Sequence, residues 1–168
     1  MEELHIIGVD LAKRVFQVHG ADIRGRVQFR KKLSRPQFMK FLSEIPRCTI
    51  AMEACSTAHH WGREAGELGH TVRLIPPVYV KPFVKRHKND AVDAEAIVEA
   101  ALRPYMSFVA VKTKEQQAQA ALFRSRDLYL RQRTQLINAM HGHLAEYGVL
   151  LPSSRASVAR MVAASREH

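Results

Sequence analysis

The sequence predicts a mixed α/β fold of five strands with flanking helices, followed by a long helix. Three observations predict it. Short apolar runs, one with clear period-two alternation, fill the first 33 residues. Helix-period patterns then alternate with buried-strand runs as far as about residue 100. Beyond residue 113 a stretch without proline carries apolar residues every seven positions.

Each element has a local reason. Leu4 to Leu11 is a short apolar run suited to a buried strand, and Asp10 lies at its C-terminal end. Val15 to His19 alternates apolar and polar residues, as a half-buried strand does. Ala21 to Gly25 is a turn, and Arg26 to Leu33 is a third strand with basic residues on its polar face. Ser34 caps a helix running to about Glu44, with Pro36 tolerated in its first turn. Cys48 to Glu53 is the next buried strand and also ends in an acid. Ser56 or Thr57 caps a helix ending at Gly69, and Thr71 to Ile75 is the fifth strand. Pro76 and Pro77 break the chain before a basic segment, Lys81 to Lys88. Ala91 to Ala101 is Ala-rich, free of Gly and Pro, and helical in period.

The order β-β-β-α-β-α-β-α is that of a ribonuclease-H-like fold. Connection rules place the first and fourth strands side by side. Asp10 and Glu53 then end neighbouring strands, at the sheet edge where open α/β sheets bind ligands. Asp90 and Asp93 stand three residues apart, on one face of a helix N-terminus. Two acids there also serve as a cap and as partners for the helix dipole. Their coincidence with two acid-ended strands favours a metal site built from Asp10, Glu53, Asp90 and Asp93. Two divalent cations on such oxygen donors clamp the attacking and leaving oxygens of a phosphodiester. Mg²⁺ or Mn²⁺ suits the donor set, and Asp10 is the expected bridging ligand.

The chain has 168 residues and a formal net charge of +10. A polyanionic partner is the natural reading of that charge. Two cysteines, Cys48 and Cys55, form no disulfide framework and match no metal spacing, which fits a reducing, cytoplasmic setting. No signal peptide and no membrane span is visible. Lys13, three residues past Asp10, is a candidate contact to the scissile phosphate. Lys85, Arg86 and Lys88 lead into the acid-bearing helix and are candidate phosphate contacts.

Several long stretches carry a family resemblance. GVDLAKRVFQVHGAD, AMEACSTAHHWGREAGELGHTVRLIPP, YVKPFVKRHKNDAVDAEAIVEAALRP and LRQRTQLINAMHGHLAEYGVLLP match in order. Together they resemble the N-terminal half of DEDD transposases of the bacterial insertion-sequence family numbered 110, related to the pilin-gene invertase. The resemblance implies a fold like the junction resolvase RuvC over residues 1–112. It maps the family's D-E-D-D tetrad onto Asp10, Glu53, Asp90 and Asp93. It further implies DNA as substrate, a guide RNA as partner, and dimers pairing into tetramers. A serine nucleophile belongs to the family's second half. Ser153, Ser154 and Ser157 match no such motif, so the chain is read as an N-terminal part lacking the serine domain.

Residues 113–168 form the helical extension. Leu122, Tyr129, Leu136 and His143 recur every seven residues, as do Phe123, Leu130, Ile137 and Leu144. A coiled-coil-like seam for self-association is expected there, although Arg126 and Arg133 fall at other seam positions. The alternative is a helix folded back on its own domain. Arg124, Arg131 and Arg133 are candidates for RNA phosphates, or simply a solvated face. His59 and His60 diverge on a helix, and Trp61 is expected in the core. The reading is an insertion-sequence transposase or recombinase, N-terminal part, cleaving and transferring DNA strands with Mg²⁺. Its rivals are a stand-alone RuvC-like structure-specific endonuclease and a non-catalytic nucleic-acid-binding and dimerisation module. A sugar-kinase-type ATPase is set aside because it needs two such folds.

Overall fold

The computed structural model describes residues 3–83, 90–150, 152 and 157–164. They form two compact units, Met1–Thr113 and Lys114–His168.

In the first unit, β1 (Ile6–Leu11), β2 (Val15–Ala21) and β3 (Val27–Ser34) form the antiparallel meander. α1 (Arg35–Glu44) leads to β4 (Thr49–Glu53), which pairs parallel to β1. α2 (Ala58–Glu67) leads to β5 (Thr71–Ile75), parallel to β4. The sheet order is β3-β2-β1-β4-β5, so the first and fourth strands are the neighbours that the connection rules require.

Strand pleating divides the residues between two faces. Ile7, Val9, Phe16, Val18, Ile50 and Met52 pack beneath α1 and α2. Phe16, Phe38 and Trp61 meet edge to face there, at centroid distances of 5.2, 5.0 and 5.6 Å. The other face, with Ile6, Ala21, Ala51 and Ile75, lies under α4 (Asp90–Ala101). Gly8 makes this close packing possible. A β-carbon there would run into the carbonyl oxygen of Ala94 and the side chain of Val98.

Local chemistry fixes the boundaries. Ser34 caps α1, and its N–H donates to Oε1 of Gln37 at 2.8 Å, half of a capping box. α2 stops at Glu67, two residues before Gly69, whose φ of +86° is the left-handed conformation that glycine adopts freely. The segment after β5 corrects the sequence reading. Pro77 does not only break the chain; it opens α3 (Pro77–Val80), where a missing N–H costs nothing, and a 3₁₀ turn follows at Lys81–Phe83. After α4 the chain returns along β5: the N–H of Val109 donates to the carbonyl of Leu74 at 2.8 Å. That bridges the β5 edge at Leu74, whereas β3 is a largely exposed edge strand.

In the second unit, α5 (Lys114–Glu146) is one continuous helix of 33 residues. Leu122, Phe123, Tyr129 and Leu136 are exposed on it, and Leu144 is buried. Ser157 opens α6 (Ser157–Ala164), a short second helix of the extension. Among the described residues, no helix is long and apolar enough to cross a membrane.

Candidate functional site

The site is built from the carboxyl ends of the two central strands. β1 and β4 run in register from Ile6 beside Thr49 to Val9 beside Met52. One step further along the same register stand Asp10 and Glu53. Side chains alternate, so Asp10 shares the face of Gly8, and Glu53 the face of Ala51. That is the α4 face. Asp10 and Glu53 are both half-buried.

α4 approaches with its acid-bearing end. Its Ala94 and Val98 lie against Gly8, two residues before Asp10 in the strand. Asp93, half-buried, is the fourth residue of the helix and immediately precedes Ala94. Asp90 is the first helical residue. Its side chain lies outside the described residues, as do Lys85, Arg86 and Lys88. Lys13 is exposed in the turn between β1 and β2. Among the described residues, no three His, Cys, Asp or Glu side chains are grouped closely enough to hold an ion. The donor chemistry itself fits a hard cation: every candidate ligand is a carboxylate oxygen.

Two contacts tie α4 to the sheet. Arg30 of β3 pairs with Glu95 at 2.7 Å, and Nη1 of Arg73 in β5 donates to the carbonyl of Ala101 at 3.0 Å. The sequence reading missed both, since nothing in a linear pattern pairs Arg73 with a helix C-terminus. The histidine pair after Glu53 is structural. Nδ1 of His59 accepts from the Lys112 N–H at 3.2 Å, whereas His60 lies 3.6 Å from Glu64. Trp61 is core, as expected.

Two cavities among the described residues lie elsewhere. One of about 560 Å³ opens among Arg24, Arg47, Thr49 and Thr71, at the opposite end of the strands from Asp10. Another of about 430 Å³ lies between His19, Arg24 and the C-terminal half of α4.

A mixed sheet with acids ending its two central strands and a helix bearing further acids defines a class, the α/β folds that present carboxylates at one sheet edge. The chain belongs to the IS110 family of DEDD transposases, whose pattern it matches over residues 7–149. It is 54% identical over 144 residues to a probable family 20 transposase of Pseudomonas aeruginosa, covering 86% of this chain and 43% of that protein. It is 44% identical over 168 residues to the transposase of insertion sequence element IS1328 of Yersinia enterocolitica, covering 100% of this chain and 50% of that one. A transposase for insertion sequence element IS1111A of Coxiella burnetii is 44% identical over 151 residues, 90% of this chain and 42% of that protein. The chain thus spans half or less of the length of these relatives. Among solved structures, Thermus thermophilus RuvC in complex with a Holliday junction substrate aligns with 60% of this chain and 94% of its own, at 12% identity and a TM-score of 0.43.

Proposed function

We propose that this chain is the metal-dependent catalytic part of an insertion-sequence transposase. In this reading Asp10, Glu53, Asp90 and Asp93 hold two Mg²⁺ or Mn²⁺ ions, and DNA is the substrate. The observation that carries it is the strand register. It sets Asp10 and Glu53 on adjacent parallel strands and on the face against which α4 packs.

Each protein group has a distinct task. Asp10, on the central strand, would be one ligand of the ions. Glu53 and the two α4 acids would hold them together with it. Ions held in this way supply positive charge to the attacking and leaving oxygens of an in-line displacement. Lys13, Lys85, Arg86 and Lys88 hold neighbouring phosphates, which positions the strand without reading its sequence. Strand transfer, a guide RNA, and assembly into dimers or tetramers through α5 complete the proposal. The exposed apolar residues of α5 support that assembly.

The test is calorimetry with Mn²⁺ on the wild-type chain and on Asp10→Asn/Asp93→Asn, with and without nucleic acid. Binding that disappears in the double variant supports one shared site. Equal binding in both proteins refutes the tetrad and leaves a basic nucleic-acid-binding and assembly module.

A further inference from the structure

The row of residues that contains Asp10 does not end with the acids. Asp10 pairs with Gln17 of β2, and Gln17 pairs with Lys32 of β3. Pleating puts the three side chains on one face, the face of α4. One step beyond the Val9–Met52 pair, Glu53 extends the row on the other side. The row therefore reads Lys32, Gln17, Asp10, Glu53 across four strands. The previous row on the same face, two residues earlier, is Arg30, His19, Gly8 and Ala51; it lies at the level covered by α4, where Arg30 is held by Glu95. Among the described residues no ion pair like that of Arg30 holds Lys32, which is exposed, and Gln17 is half-buried.

We propose that this row is the bed of the DNA strand to be cut, with Lys32 as a phosphate-positioning residue and Gln17 as a hydrogen-bond donor between Lys32 and the acids. The inference rests on the metal-site reading above and adds a direction to it. The strand crosses the sheet from Glu53 towards the open β3 edge. Neighbouring strands lie about 4.8 Å apart, so the Lys32 backbone stands about 10 Å from that of Asp10. A phosphate held at the acids through cations has its neighbour over an amide and an ammonium, groups that donate to phosphate oxygens. On the opposite side the returning chain bridges to β5 at Leu74 through Val109, next to the row's level.

The simpler account is that lysines on an edge strand only block sheet-to-sheet association. The adjacent residue separates the two. Lys31 is on the same strand and also exposed, but on the other face, with Nζ 4.8 Å from the ring centre of Phe41. Edge protection uses either lysine; a substrate bed uses Lys32 alone.

The experiment measures binding of a fluorescein-labelled DNA duplex and an RNA hairpin to the 168-residue chain across a KCl series, with Ca²⁺ as the divalent ion. Wild type is compared with Lys32→Gln, Lys32→Arg and Lys31→Gln, and thermal melts check that each is folded. On the duplex, Lys32→Gln is expected to reduce the slope of log K against log salt by about 0.9, the value for one phosphate contact. Lys32→Arg restores the slope and Lys31→Gln keeps it. Equal effects of the two lysines, no effect of Lys32→Gln, an effect confined to the RNA hairpin, or no duplex binding by the wild type each overturn the proposal. Mn²⁺ calorimetry on Asp10→Asn tells this failure apart from failure of the metal site. Binding lost there, with duplex slopes unchanged by Lys32→Gln, leaves the tetrad standing and removes only the bed.

Discussion

Gly8 joins the fold to the site, and replacing it with alanine tests that link. The added β-carbon would stand 2.7 Å from Cγ2 of Val98 and 3.2 Å from its backbone nitrogen, and would overlap the carbonyl oxygen of Ala94. A side chain can rotate away, but a helix carbonyl cannot. Ordinary carbon contacts lie at about 3.5–4.0 Å, so α4 must lift by roughly 1 Å. The helix is well seated, since Ala94, Ala96, Ile97, Val98, Ala100 and Ala101 are all buried against its surroundings. Overpacking of this kind costs about 1–3 kcal/mol. At roughly 4–8 °C per kcal/mol for a domain near this size, the melting temperature should fall by about 5–20 °C. In the proposed tetrad Asp93 rides on the lifted helix, so Mn²⁺ affinity should drop as well, by roughly the 10–100-fold typical of a disturbed supporting shell. Calorimetric melting and Mn²⁺ titration of Gly8→Ala read the two effects together. A variant that melts within about 1 °C of wild type and keeps its Mn²⁺ affinity refutes the claim that Gly8 sets the distance between α4 and β1.

Two further outcomes follow from the core. Trp61→Ala removes a buried ring that meets Phe16 and Phe38, and should destabilise the first unit by about 3–5 kcal/mol in urea titration. Burial pushes the Cys48 thiol up to about 11 from an ordinary 9.0. The folded state therefore holds the thiol proton more tightly than the unfolded chain. Its contribution to stability is complete below pH 9 and is lost as pH rises towards 11. Iodoacetamide labelling followed by peptide mass spectrometry should find Cys48 slow to react at pH 8, with a rate that climbs as pH approaches 11.

The strands and helices were legible because each carries its own period and punctuation. Alternation in Val15–His19, the Ser34 cap with Pro36, and the Gly69 stop are all local signals. Neighbouring β1 and β4 followed from connection rules and needed no side-chain detail. What stayed hidden depends on register or on distant contacts. Basic residues on one face of β3 were visible, but the alignment of Lys32 with Asp10 requires the pairings of two strand ladders. The pairing of Arg73 with the end of α4, and of Val109 with Leu74, crosses tens of residues with no motif at either end. Pro77 misled for a related reason. Proline breaks a helix from inside but starts one well, and only the following residues decide which applies.

The acids of α4 still admit two physical roles, helix-dipole partner and metal ligand, and one substitution separates them by sign. Asp93 lies in the first turn of α4, where a negative charge stabilises the helix by about 0.3–1 kcal/mol. If that is its only role, Asp93→Asn lowers stability by this amount, with or without a divalent ion. If Asp93 converges with Asp10 and Glu53, the metal-free chain holds like charges together, and such charges repel. Removing one then raises stability in chelator. The same variant loses the gain that Mn²⁺ gives the wild type, because an ion that binds only the folded state stabilises it by RT ln(1 + [ion]/Kd), which vanishes once Kd rises far above the ion concentration. The signs in chelator are opposite, so a pair of melts, with EDTA and with Mn²⁺, decides the matter without any assay of DNA cleavage. A drop in melting temperature of equal size in both buffers assigns Asp93 to the helix dipole alone and removes it from the tetrad.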